Sequence, residues 1–140
     1  MRMKPCLTAA DARQLIDAAL VEAVKNQWTV SIAVVDDGGA LLALHRMDGA
    51  FPQSAEIATR KAWTAAAVRL PTKVMEDMVR ERPALISFPG QLRVQGGLPI
   101  LVGAECVGAV GVSGAASPQD EQVGRAALEA LPMDVPSTTE

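Results

Sequence analysis

Arg46, Asp48 and Lys61 are the residues whose types and spacing point most directly to chemistry. Lys61 sits in an Ala-rich stretch, and Ile57, Ala58, Ala62 and Ala65 share its face by i, i+3 and i+4 spacing. A lysine in such surroundings either pairs with a carboxylate or holds its proton less tightly through desolvation. An ion pair of Lys61 with Asp48 or Asp36 explains it structurally. The chemical reading makes Arg46 and Lys61 the holders of a small ligand's carboxylate, with Asp48 close by. Lys61, Arg46 and Asp48 are then the catalytic candidates. A desolvated lysine also serves as a base or forms a Schiff base.

His45 is the only histidine. Haem iron is most often held by an imidazole, with Met, Cys or Tyr as other choices, so a haem ligated through histidine would use His45. Its strand alternates Leu42, Leu44 and Arg46 against Ala43, His45 and Met47, which explains it equally well as a half-exposed strand residue. Gly96-Gly97 precedes a strand, and Gly111, Ser113 and Gly114 end one. Backbone amides in such turns bind anions, so Gly96, Gly97 and Ser113, with Asp36, complete the ligand-binding candidates. Close packing explains the glycines without a ligand. Asp120 reads as a first-turn helix carboxylate. Met75 and Met78 read as packing residues. Neither a P-loop nor G-x-G-x-x-G is present, which removes the usual nucleotide signatures. One histidine and two distant cysteines, Cys6 and Cys106, do not make a zinc site, and both thiols read as free.

These residues need elements to place them. Thr8 and Asp11 make a capping box, and Ala12, Leu15, Ile16, Ala19, Leu20, Ala23 and Val24 form a helical stripe behind it. Trp28–Val35 and Ala40–Arg46 read as strands joined by the turn Asp36-Asp37-Gly38-Gly39. Ser54–Val68 is helical, and another helix starts near Pro71 and ends before Pro83. Residues 83–97 look irregular. A second hairpin runs Leu98–Val102 and Cys106–Val112, and a last helix opens with Ser117 as its cap. The order α-ββ-α-α-ββ-α, with hairpin connections, predicts an α+β domain: one antiparallel sheet with flanking helices. Residues 1–131 form the domain, and 132–140 read as a polar tail.

The 140 residues suit one domain. The net charge of -3 lacks the basic face that nucleic acid requires. No apolar run reaches the roughly 18 residues of a membrane span, and Met1–Cys6 lacks a signal-peptide core, so the chain reads as cytoplasmic. Four or five strands bury too little if one sheet face stays bare. A bare apolar face would be covered by a second copy, which predicts a homo-oligomer.

The stretch from Ala33 through Asp36-Asp37-Gly38-Gly39 to His45-Arg46-Met47-Asp48-Gly49-Ala50 resembles the first hairpin of the GlcG/HbpS family, which includes the PduO C-terminal domain. The likeness continues at Arg60–Ala65, Gly96–Ile100, Val107–Gly114 and Asp120-Glu121, and covers roughly residues 8–131. The resemblance implies a five-stranded, profilin- or PAS-like antiparallel sheet and assemblies from dimer to octamer. It implies haem binding or aid to haem degradation, although it transfers no haem ligand to a residue here. Three readings follow: an oligomeric protein binding a small molecule such as haem, an enzyme on a carboxylated or carbonyl compound using Arg46 and Lys61, or an accessory subunit without a ligand site.

Overall fold

The computed structural model describes residues 1–131; the stretch read as a tail, 132–140, lies outside the described residues. The first helix, α1 (Ala9–Lys25), begins at the predicted box. Thr8 Oγ1 accepts from the Asp11 amide at 3.1 Å, and the Asp11 carboxylate accepts from the Thr8 amide at 2.8 Å. Two otherwise orphaned N–H groups are thereby satisfied. At the far end Gln27 takes a φ of 61°, and the Trp28 amide donates back to Ala23 O at 2.9 Å. That bond closes the helix. Trp28 therefore cannot open the strand as expected, and the first strand starts three residues later.

β1 (Ser31–Asp36) and β2 (Leu41–Arg46) form one hairpin, and β3 (Gly97–Val102) and β4 (Glu105–Ser113) form the other. β1 also pairs antiparallel with β4, giving the order β2-β1-β4-β3. The sheet thus has four strands among the described residues, not the five that the resemblance implies. Residues just before β3 add no strand because their backbone is tied elsewhere. The Leu92 amide donates to Thr64 Oγ1 of the helix Ser54–Val68 at 2.9 Å. Part of the stretch expected to be irregular, Pro83–Ser87, is a 3-10 helix.

α1 and α4 (Ser117–Glu129) cover one face of the sheet over Leu15, Ile32, Val34, Leu98, Val110 and Val123. Each such fully buried aliphatic contributes about 1.5–3 kcal/mol. α4 is capped by Ala116, one residue before the expected Ser117, because Gln119 Oε1 reaches back to accept from the Ala116 amide at 3.1 Å. On the other face α2 (Ser54–Val68) lays Ala58, Ala62 and Ala65 against Ala33, Val35 and Ala109. Gly111 allows this close approach: a Cβ there would stand 2.6 Å from Ala62 N. α3 (Thr72–Glu81) follows, with Thr72 Oγ1 accepting from the Gly97 amide at 2.8 Å.

Neither sheet face is bare, which corrects the expected source of an oligomer contact. Exposed large apolar side chains are instead scattered, among them Leu41 and Leu44 on β2, Phe51 in the following loop, Val21 and Val24 on α1, Val74 and Met78 on α3, and Ile86 and Phe88 at the 3-10 helix.

Candidate functional site

Lys61 lies on the sheet-facing side of α2 and is 2% exposed. Its partner is neither Asp48 nor Asp36. Nζ donates to Asp120 Oδ2 at 3.2 Å and to Val112 O at 3.0 Å. The other Asp120 oxygen accepts from the Ala115 amide at 2.9 Å. Asp120 is thus more than a helix-dipole carboxylate: it is the counter-ion of a buried cation brought from another element. Burial pushes its carboxyl above the ordinary value of 3.8, against the opposing pull of the Lys61 charge and the Ala115 amide. Gly96 makes room for the ammonium. Its φ of 133° suits glycine, and a Cβ would sit 2.7 Å from Lys61 Nζ.

Two clefts open on the α2 side and share a wall made by Glu56 and Arg60. These two are one helical turn apart and joined at 3.1 Å. The first cleft, about 520 Å³, is lined by Leu44, Ala55, Thr59 and Trp63, with Gly39 and Gly90 at the ring. Its size falls in the roughly 300–1,000 Å³ range of small-molecule sites. A Cβ on Gly39 would lie 2.8 Å from Trp63 Nε1, so the β1–β2 turn can seat itself on the indole only with glycine there. The second cleft, about 430 Å³, has Lys61, Ser113 and Asp120 at its base and Phe51, Ile57, Leu92 and Val94 as apolar walls.

The structure gathers some of the expected site residues and separates others. Lys61 and Ser113 meet in the second cleft. Arg46 does not join them: it is exposed at the end of the edge strand β2, paired in register with Ser31. Arg60 supplies the cation both clefts share. Asp48 is exposed in the loop after β2. Asp36 Oδ1 accepts from the Gly38 and Ala40 amides, each at 2.9 Å, and so builds the hairpin turn. Gly96 and Gly97 are buried packing positions: a Cβ on Gly97 would press on the α2 backbone and Thr72, and neither glycine lines either cleft. His45 pairs with Ile32, whose side chain lies in the α1 layer. Paired residues share a face, so His45 points away from both clefts, toward Arg13 and Asp17 of α1. No group of three or more His, Cys, Asp or Glu that can hold a metal ion occurs among the described residues. Sequence reasoning overlooked Arg60 and Trp63; the signal available for Trp63 was a lone large aromatic in an alanine-rich helix.

The comparisons with known proteins agree with this architecture. The model of a family described as haem-degrading, HbpS-like proteins matches residues 7–129. Protein GlcG of Escherichia coli K12 is 47% identical over 114 residues, covering 81% of this chain and 85% of that protein. The crystal structure of an HbpS double mutant from Streptomyces reticuli superposes with a TM-score of 0.88 at 38% identity, covering 94% of this chain and 91% of the other. A crystal structure of a PduOC–haem complex superposes with a TM-score of 0.84 at 30% identity, covering 91% of this chain and 96% of the other. The chain belongs to the HbpS-like family of haem-degrading proteins.

Proposed function

We propose that this chain is a small-molecule-binding protein that takes haem in the cleft walled by Trp63, and that it works as a homo-oligomer in the cytoplasm. The observation that carries the reading is the cradle at Trp63. An indole lines an apolar cleft, with the β1–β2 turn packed on its Nε1 edge through Gly39, Gly90 beside its far edge, and the Arg60 guanidinium on the rim. A flat, largely apolar ring fits against the indole and Leu44, and a propionate fits the guanidinium N–H groups that Glu56 leaves free. The PduOC–haem complex on the same fold supports the reading.

The cleft offers the ring no His, Met, Cys or Tyr. Bound haem would supply its own iron chemistry; Trp63 and Leu44 bind and orient the ring, and Arg60 holds its carboxylate. His45 faces the opposite side of its own sheet and would not hold a ring bound in this cleft. Exposed Leu44 and Phe51 at the two clefts are the apolar surface that a second copy would cover. The lysine-base enzyme reading loses support, since Arg46 does not line Lys61's cleft and Lys61 is bound to a carboxylate.

Hemin titration followed at the Soret band tests the proposal. A saturable shift at micromolar hemin, weakened roughly 5- to 30-fold by Arg60→Ala through loss of a charge-assisted bond, is expected. Light scattering on the same sample is expected to give a mass of at least two 14.7 kDa chains. No saturable shift contradicts the ligand, and a monomer contradicts the assembly.

A further inference from the structure

The cleft beside Lys61 holds a donor set that the Trp63 cleft lacks. Ser113 is only 4% exposed, lines the cleft, and its Oγ takes no hydrogen bond from the described residues. Lys61 carries three ammonium protons, of which Val112 O and Asp120 take two. A hydroxyl that reaches the cleft without a protein partner is free to donate to a ligand or to water. Asp120 is the negative group at this floor, but both of its oxygens are engaged, by Lys61 and by the Ala115 amide. The opening of α4 borders the same space through Ser117, and the amino end of a helix favours an anion. Glu56 on the rim is paired with Arg60. The cleft's uncommitted polar groups include an ammonium proton of Lys61, the Ser113 and Ser117 hydroxyls and the Gln53 side-chain amide, and its aliphatic walls are Ile57, Leu92 and Val94.

We infer that this second cleft binds a short aliphatic carboxylate, one oxygen accepting from Ser113 Oγ and Lys61 Nζ and the hydrocarbon lying against Ile57 and Val94. The inference is independent of the haem reading, because Ser113 and Lys61 do not line the Trp63 cleft.

The test is NMR titration of the full ¹⁵N-labelled chain with sodium propionate and with propionamide at fixed ionic strength. Saturable shifts of the Ser113, Ala115 and Ser117 amides are expected with propionate, with propionamide binding roughly 10-fold more weakly. Ser113→Ala, which leaves the Lys61–Asp120 pair intact, is expected to weaken propionate roughly 3- to 10-fold. The same variant is expected to keep the wild-type thermal midpoint and the wild-type response to hemin. Shifts that never saturate, propionamide binding as tightly as propionate, or a Ser113→Ala chain that binds like the wild type would each overturn the inference. Failure of hemin to bind would leave these outcomes unchanged.

Discussion

Lys61 and Asp120 are both about 3% exposed at their side chains and hold each other across two elements. Removing one charge strands the other in a low-dielectric interior. Asp120→Asn is therefore expected to cost about 3–5 kcal/mol, while Lys61→Met with Asp120→Leu together is expected to be near neutral or stabilising; urea unfolding of the three chains measures this. Equal losses for the single and double variants would contradict it. An NMR titration of the Asp120 carboxyl is expected to show a midpoint above 3.8. The folded chain then keeps that proton to a higher pH than the unfolded chain. This group's contribution is accordingly full below pH 3.8, falls as pH rises through the folded value, and is flat beyond. The burial of Lys61 was legible, because its alanine and isoleucine neighbours recur at helical spacing. Its partner was not: Asp120 lies 59 residues away and already has a local explanation at the start of a helix. Asp36 shows the converse, a carboxylate that looked available and spends itself on its own turn.

The hairpins and helices were readable because their signals are local. An Asp-Gly turn, a capping box and an alanine stripe each act within a few residues. The strand start at Ser31 was not readable from the apolar run alone, because the Trp28 amide is consumed in closing α1. Helix-to-sheet distance is set by residues that carry no side chain. Gly111→Ala places a methyl against the α2 backbone at Ala58 and Ala62. Overpacking of this kind is expected to cost about 1–3 kcal/mol, seen as a lowered thermal midpoint. It is also expected to weaken hemin binding, since the same helix carries Trp63 and Arg60. An unchanged midpoint would show that α2 has slack the structure does not suggest.

At the scale of the whole molecule, the α+β class and element order followed from the sequence, and the family resemblance rested on several short segments in the right order. The clefts did not follow. Their walls come from segments far apart in the chain, with Gly39, Trp63 and Gly90 meeting at one indole. The apolar surface left over is scattered over the β2 edge, the 3-10 turn and the outer sides of α1 and α3 rather than one sheet face, because helices occupy both faces. No helix among the described residues is long and apolar enough to cross a membrane. The most direct test of the proposed haem site is an anomalous difference map at the iron edge from crystals grown with hemin. An iron peak over the Trp63 cleft, beside Arg60, is the result expected. A peak beside His45 on the α1 side of the same chain, with the Trp63 cleft empty, would contradict the site.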